Sequence, residues 1–545
     1  MSALSQRSYD EIRNTLLARH ELALLDVREE APHAERHPLF AANLPLSKLE
    51  LEVHTRLPRL NVPIVVFDDG EGLAESAARR LLSLGYTEVA VLKGGLSGWE
   101  NAGGEVFRDV NVPSKAFGEL VESVRHTPSL SAEAVDALIR SDADVVVLDA
   151  RRFDEYQTMN IPGSFSVPGA ELVLRARALA PDPATRVVVN CAGRTRSIIG
   201  TQSLVNAGIP NPVSALRNGT IGWTLAGKTL QHGSTRRFEA QAGQADAATR
   251  QTARALADRA GVSRTSLAEA QRWADGVTRT VYRFDVRTPE EYEQAHAPGF
   301  QNAPGGQLVQ ETDMYAPVRG ARVVLFDDDG VRANMTASWL AQMNIETYVV
   351  DHATPDALTQ RGVWQPSRPQ PAQTPAIAAA ELAAQLADPD SHTIVLDFTA
   401  SANYVKGHIP GAWWALRSRL EQDLRALPDA KRYVATCASS ALARFAAPEI
   451  AALTGKPVQV LEGGTAAWVA AGLPSEQGET RLAAPRIDRY RRPYEGTDNA
   501  HQAMNDYLEW EYGLVAQLER DGTHGFFVIY GSLVQVKRRV PSAPL

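Results

Sequence analysis

The chain has 545 residues, too many for one hydrophobic core, so several domains of roughly 100 to 200 residues are expected. Its formal net charge of -8 excludes the broad basic surface that nucleic-acid binding needs, and no apolar run is long enough to span a bilayer. The 2 cysteines cannot form a disulfide framework, and neither has metal-ligand spacing around it. We therefore expect a cytoplasmic multidomain protein without a nucleic-acid, membrane or metal partner.

A short apolar segment that ends in Asp recurs four times along the chain. Each copy predicts a buried strand, and a turn rich in His, Pro and Gly follows it. The copies read LLDVREE around Asp26, VVLDARRFDEY around Asp149, YRFDVRTPEEY around Asp285 and IVLDFTASANY around Asp397.

A second apolar strand follows each copy and leads through a short loop into a predicted helix. The loops begin at Asp68, Cys191, Asp327 and Cys437. The loop starts 42 residues after the strand-end Asp in the first three copies and 40 residues after it in the fourth. A Gly-rich turn ending in Trp closes the first, second and fourth copies, whereas the third has Leu358 there. Such a constant spacing indicates one unit repeated four times.

The fold class follows from the kind of strand that the repeat contains. Continuous Val, Ile and Leu runs alternate with helical patterns such as Ala77, Leu81 and Leu84, which predicts parallel sheet buried on both faces. We predict four α/β domains, each with three α/β/α layers, arranged as two tandem pairs. The predicted boundaries are 1–112, 125–232, 262–366 and 375–480, with a C-terminal extension at 481–545.

The segments outside the repeat have their own patterns. Residues 232–260 are rich in Ala, Gln and Arg and predict a helix that bridges the two halves, while 365–371 is a stiff Pro-rich linker. In the C-terminal extension, Leu508, Tyr512, Val515 and Leu518 predict an amphipathic helix. This helix either packs onto a domain or offers a docking surface to a partner.

Only the second loop combines a thiol with cations. Cys191-Ala192-Gly193-Arg194-Thr195-Arg196 lies between a strand and a helix, where unpaired N–H groups and the helix dipole favour an anion. We expect a lowered pKa for Cys191, with Arg194 and Arg196 adding positive charge, and loop amides converging on an anion. The alternative for Cys191 is a small buried core residue.

These motifs resemble the rhodanese-like sulfurtransferase family. The shared features are the D-x-R strand end, the H-x-P-G-A turn, the six-residue loop starting at Cys and the G-G-x-x-x-W closing segment, and they cover about four-fifths of the chain. The resemblance implies that Cys191 accepts sulfur as a persulfide and passes it to cyanide or a thiol, with Ala192 through Arg196 as the cradle. Arg151 is a further candidate for binding the donor.

The other three loops differ in ways that predict lower activity. Asp68 and Asp327 cannot carry a persulfide, so the first and third domains are predicted to be inactive, with these carboxylates capping helices. Cys437 is a possible second site, but its loop carries no charge and Thr399 replaces the arginine of the other units. Cys437 is therefore interpreted either as part of a vestigial loop or as a relay thiol.

The sequence thus predicts a thiosulfate sulfurtransferase that works without a metal or organic cofactor. Two loop arginines favour a small dianionic donor, because each can pair with a sulfonate oxygen. Mercaptopyruvate is the alternative donor, and cyanide, a thiol or a protein is the acceptor. The alternative function is a persulfide carrier or interaction scaffold that does not turn over. Phosphatase activity is disfavoured because Ser197 stands where related phosphatases have Arg.

Overall fold

A computed structural model describes residues 3–141, 143–238, 245–351, 355–492 and 499–530. Parts of two predicted segments, 239–244 of the bridge and 493–498 and 531–545 of the C-terminal extension, lie outside the described residues. The described chain contains four five-stranded sheets, and every strand pair within them is parallel. This confirms the predicted fold class of four α/β units.

The first unit contains one five-stranded parallel sheet. Its strands are β1 Ser5–Arg7, β2 Ala23–Asp26, β3 Ala41–Asn43, β4 Ile64–Phe67 and β5 Val89–Leu92, in the sheet order β1-β5-β4-β2-β3. Its helices are α1 Tyr9–Leu17, α2 Glu30–Glu35, α3 Leu49–Arg56, α4 Leu73–Ser83 and α5 Gly95–Asn101, and α6 Val112–Arg125 leads to the second unit.

The second unit repeats the same strand order. Its strands are β6 Ser129–Leu130, β7 Val145–Asp149, β8 Phe165–Ser166, β9 Arg186–Asn190 and β10 Val213–Leu216. Its helices are α7 Ala132–Arg140, α8 Phe153–Thr158, α9 Leu172–Leu179, α10 Thr195–Asn206 and α11 Gly219–Leu225, followed by the bridging helix α12 Ala247–Arg259. The predicted bridge is thus helical over its C-terminal half.

The third and fourth units have the same topology again. The third contains β11 Ser263–Thr265, β12 Val281–Asp285, β13 Gln301–Asn302, β14 Arg322–Phe326 and β15 Glu346–Val350, with α13 Leu267–Asp275, α14 Pro289–Gln294, α15 Gly305–Gln310, α16 Thr312–Tyr315 and α17 Arg332–Gln342. The fourth contains β16 Ala376–Ile377, β17 Thr393–Asp397, β18 Trp413–Trp414, β19 Arg432–Thr436 and β20 Val458–Leu461, with α18 Ala379–Ala387, α19 Ser401–Lys406, α20 Leu420–Arg425, α21 Ala443–Thr454 and α22 Gly464–Ala470. Helix α23 Ala500–Asp521 belongs to the C-terminal extension.

The tryptophans that end the Gly-rich turns are core residues. Trp99, Trp223 and Trp468 are each at most 3% exposed, and each indole N–H donates to a backbone carbonyl six residues later. A buried indole whose N–H is satisfied adds apolar contact without leaving an unpaired polar group. In three of the four units, the Trp that ends the Gly-rich turn therefore packs into the core against the sheet.

Along the chain, the residue at the loop start alternates between Asp and Cys. In space, the second unit contacts the third and the first unit contacts the fourth, and both contacts use equivalent segments. The turn Gly169–Glu171 meets α15, where a Cβ on Gly306 would lie 2.8 Å from the Gly169 nitrogen. The equivalent contact of the other pair joins Arg417 to Glu50, at 2.6 Å. First and third units also touch, since the Tyr282 hydroxyl donates to the Arg56 carbonyl.

Candidate active site

A cavity of about 100 Å³ opens at the carboxyl end of β9, where Cys191 follows the strand. Thr195 begins α10, so the thiol lies in the turn before the helix, as the sequence predicts. The cavity wall contains all six residues of the predicted loop, Cys191 through Arg196. In open α/β sheets, the carboxyl ends of the strands are where ligands bind.

The backbone of the loop is oriented by the closing segment of the same unit. Thr220 and Ile221 donate their N–H groups to the carbonyls of Cys191 and Ala192, at 2.9 and 3.0 Å. Gly219 has φ +54°, and a Cβ there would lie 2.3 Å from the Cys191 carbonyl oxygen, so only glycine permits this approach. In a trans peptide the N–H points opposite to the carbonyl, so the N–H groups of Ala192 and Gly193 point away from α11.

The thiol itself is buried, at 2% exposed. Its Sγ donates to the Ser197 hydroxyl at 3.4 Å, and that hydroxyl donates to the Arg194 carbonyl at 2.8 Å. Burial raises the pKa of Cys191, while the Arg196 charge and the bonds from Ser197 act in the opposite direction. The expectation of a lowered pKa is therefore wrong for this structure, because desolvation of the thiolate is the larger effect.

The raised pKa of Cys191 predicts how the reactivity of its thiol depends on pH. Alkylation of Cys191 by iodoacetamide should be slow at pH 7 and should still be accelerating above pH ~8.5, the ordinary pKa of a cysteine thiol, because the thiolate fraction grows as pH approaches the raised value. Intact mass spectrometry of a Cys437→Ser protein reports this one thiol. A rate that levels off below pH ~7 would contradict the burial argument.

The two loop arginines are both neutralised by carboxylates. Arg194 binds Glu119 through two contacts, 2.7 and 2.9 Å, and Arg196 binds Glu155 through two contacts of the same lengths. Arg194 also lies over the ring of Tyr512, 4.3 Å from its centroid. The loop therefore carries less uncompensated positive charge than its sequence suggests.

The pair Arg196–Glu155 is a structural element of the repeat. In the third unit, Arg332 stands at the same place relative to Asp327 and binds Glu291, the counterpart of Glu155, although that loop has no thiol. Arg332 is 1% exposed and also binds Glu171 of the second unit. The recurrence indicates that this arginine holds the loop against the neighbouring helix. Its role in donor binding stays a prediction.

Arg151 lies beside the site without lining the cavity. Its guanidinium makes two contacts with Asp149, at 2.9 and 2.7 Å, and donates to the Met159 carbonyl. Arg28 and Arg287 make the same contacts in their own units. This arginine therefore anchors the strand end in three units.

Part of the remaining wall of the cavity comes from segments outside the four repeats, while the second and third units supply other parts of it. Helix α6 supplies Lys115, which binds Asp109 at 2.6 Å, and α23 supplies Tyr507 and Glu511. A Cβ on Gly193 would lie 3.4 Å from the Glu511 carboxylate, so the helix touches the loop. Sequence reasoning missed these residues. The signal for Glu511 was a carboxylate three residues after Leu508, on the apolar face of an amphipathic helix.

The buried face of α23 is rotated relative to the prediction. The buried residues are Met504, Leu508, Glu511, Leu514, Leu518 and Asp521. Tyr512 is 52% exposed, so its assignment to the apolar face is wrong. The helix packs along α6 and over the second unit, which supports packing onto a domain, the first of the two alternatives.

The Cys437 loop has a different shape. Helix α21 begins at Ala443, six residues after the cysteine, whereas α10 begins four residues after Cys191. Ser440 has φ +69°, and its N–H lies 2.7 Å from where a Cβ on Gly464 would stand, so this amide faces the closing segment. In addition, Asp397 Oδ2 has no hydrogen-bond partner among the described residues, because Thr399 replaces the arginine.

The two aspartates at loop starts accept helix N–H groups, as predicted. Asp68 accepts a hydrogen bond from the Ala74 N–H at 3.1 Å, and Asp327 accepts one from the Ala333 N–H at 2.8 Å. Ala74 and Ala333 are the second residues of their helices. Both carboxylates reach the helix from several residues upstream. Burial and the charge of Asp329 raise the pKa of Asp327. These loops use a carboxylate to satisfy the N–H groups that surround a thiol in the second unit.

Two other kinds of site are absent from the described residues. No helix there has the length and apolarity that crossing a bilayer requires, and no group of three or more His, Cys, Asp or Glu side chains is placed to hold a metal ion.

A family model described as "Rhodanese-like domain" matches residues 8–102, 131–226, 266–353 and 378–471, which is more than half of the chain. A crystal structure of thiosulfate sulfurtransferase from Pseudomonas aeruginosa is 66% identical, covers 97% of this chain and 100% of that chain, and superposes with a TM-score of 0.94.

Two weaker similarities cover single units. A Rhodopseudomonas palustris protein of unknown function, described as a possible tyrosine phosphatase, is 26% identical over 19% of this chain and 85% of its own, with a TM-score of 0.18. The putative sulfur carrier protein YrkF of Bacillus subtilis is 28% identical over 108 residues, which are 20% of this chain. The match spans 56% of that curated relative.

Proposed function

The chain belongs to the rhodanese-like domain family, and on that premise we propose that it is a sulfurtransferase that moves sulfane sulfur from thiosulfate through a persulfide on Cys191. The observation that carries the proposal is a thiol in the wall of a small polar cavity at a helix N-terminus. The similarity to a thiosulfate sulfurtransferase over nearly the whole chain supports the choice of donor.

The reaction needs two displacements at sulfur. The Cys191 thiolate attacks the outer sulfur of thiosulfate, a new S–S bond forms, and sulfite leaves with the electron pair of the old bond. Cyanide or a thiol then attacks the terminal sulfur, and the cysteine departs as a thiolate. Sulfite and thiolate are both stable anions, so the reaction needs binding and orientation more than a strong acid at the leaving group.

The loop supplies orientation in this proposal. The N–H groups of Ala192 and Gly193 point away from α11 and provide donors for a terminal sulfur anion. Arg196 lowers the pKa of the thiol and offsets part of the effect of burial. Arg194 and Thr195 hold the loop against α6, where a Cβ on Gly118 would lie 2.9 Å from Thr195.

Steady-state kinetics with small donors test the proposal against its alternatives. We expect many turnovers with thiosulfate and cyanide, followed as thiocyanate formation, and at least about tenfold lower kcat/KM with mercaptopyruvate, whose carboxylate carries one charge rather than two. A single turnover per chain would favour a persulfide carrier. A higher kcat/KM with mercaptopyruvate would refute thiosulfate as the donor.

A further inference from the structure

The carboxyl group of Glu511 lines the cavity but has no part in the proposed reaction. Glu511 is 1% exposed and lines the cavity from α23, which is not part of any repeat. Its Oε1 accepts from the Tyr507 hydroxyl at 2.9 Å. Its Oε2 is buried and has no hydrogen-bond partner among the described residues.

The surroundings of Glu511 favour a neutral acid. Burial, then the charge of Glu119 on α6, raise the pKa of Glu511 to about 8, while Lys115, Tyr507 and Arg194 act in the opposite direction. Because Oε1 already accepts a hydrogen bond, the acid proton belongs on Oε2. At neutral pH the carboxyl group is therefore a hydrogen-bond donor next to the Cys191 loop.

The charges of the cavity explain why this proton matters. Lys115 is paired with Asp109, Arg194 with Glu119, and both Arg196 and Arg492 with Glu155, while Glu311 adds a further carboxylate to the wall. An ionised Glu511 would add a negative charge that these pairs do not compensate, and a dianionic ligand would be repelled at short range. A protonated Glu511 instead offers the ligand an O–H donor and adds no charge to the cavity.

We propose that Glu511 is a specificity-determining residue of the Cys191 site, whose protonated carboxyl group donates a hydrogen bond to an oxyanion of the bound sulfur donor. This inference rests on the proposed function and identifies the C-terminal helix as part of the donor site. The helix approaches closely because residue 193 is glycine, with the Tyr507 ring 3.3 Å from where a Cβ would stand. Ionisation of Glu511 at alkaline pH then weakens donor binding.

Binding of sodium thiosulfate to the Cys191→Ser protein tests the inference, because the thiol can neither react nor titrate there. Only the acid form binds well, so the competent fraction falls from about 0.9 at pH 7 to about 0.1 at pH 9 for a pKa of about 8. Titration calorimetry should show an increase of about tenfold in Kd over this range. In Cys191→Ser/Glu511→Gln the amide N–H replaces the O–H without titrating, and the increase should be less than about twofold.

Glu509 provides the matched control, since it is an exposed carboxylate on the same helix. Cys191→Ser/Glu509→Gln should keep the tenfold increase in Kd. A Kd that does not change with pH in Cys191→Ser, or an unchanged increase in the Glu511→Gln protein, would overturn the role of Glu511 alone. Failure of Cys191→Ser to bind thiosulfate at any pH would instead overturn thiosulfate as the donor, and this inference with it.

Tyr507 gives a second test that a purely structural role would not pass. Its hydroxyl lowers the pKa of Glu511, so Tyr507→Phe should raise that pKa and move the loss of thiosulfate binding to higher pH. The same titration in Cys191→Ser/Tyr507→Phe measures the midpoint. A midpoint that stays in place or moves to lower pH would contradict a donor role for Glu511.

Discussion

Replacing Cys191 with Ser is expected to lower the rate of thiosulfate-dependent thiocyanate formation by at least about 10³-fold, because a hydroxyl cannot form a persulfide. The substitution is nearly isosteric at a buried position, and serine can keep the hydrogen bond to Ser197. The protein should therefore remain folded, which circular dichroism can verify. Mass spectrometry after thiosulfate treatment should find one added sulfur on wild-type protein and none on the variant.

Cys437→Ser is the matched control, since it removes the other free thiol of a repeated unit. We expect its thiocyanate formation to match the wild type, because the Cys437 loop lacks cations and turns one amide toward its closing segment. Activity that survives Cys191→Ser and disappears only on Cys437→Ser would move the active site to the fourth unit. Loss of half the activity in each variant would indicate two working sites.

Replacing Arg332 with Met is expected to destabilise the contact between the second and third units by about 3–5 kcal/mol. Arg332 is 1% exposed and binds Glu171 across the unit boundary together with Glu291 and Asp329. Methionine fills similar volume but leaves these carboxylates without their cation. Removing one partner of a buried ion network costs more than the network contributes, because the remaining charges stay desolvated.

Urea unfolding followed by tryptophan fluorescence measures this effect, and we expect the earliest transition to move to lower urea. Arg272→Met serves as the control, since Arg272 is 73% exposed and pairs with Glu269 on the surface, where an ion pair contributes about 0–1 kcal/mol. Equal shifts in the two variants would show that the Arg332 network is not a stabilising contact. Because Arg332 lies in a unit without a thiol, donor binding should be affected less than stability.

The four repeated units and the position of Cys191 in its loop could be predicted from the sequence. The strand-end aspartates and the constant spacing to the loop predicted four units, because buried parallel strands need continuous apolar runs that few other structures require. The loop at Cys191 followed from the same register. Both loop arginines line the same cavity as the thiol. Their partners Glu119 and Glu155 lie 75 and 41 residues away from them in sequence, so the sequence pattern did not reveal that the arginines are neutralised.

Local sequence therefore determined the four folding units, the strand-to-helix position of Cys191 and the helix-capping use of Asp68 and Asp327, since each depends on residues within one unit. Tertiary structure decided the electrostatics of the site. Burial raised the pKa of the thiol, Glu119 and Glu155 neutralised the loop arginines, and α23 brought Glu511 to Gly193 from more than 300 residues away. Desolvation and charge pairing depend on which surfaces meet in space, and spacing along the chain does not record that.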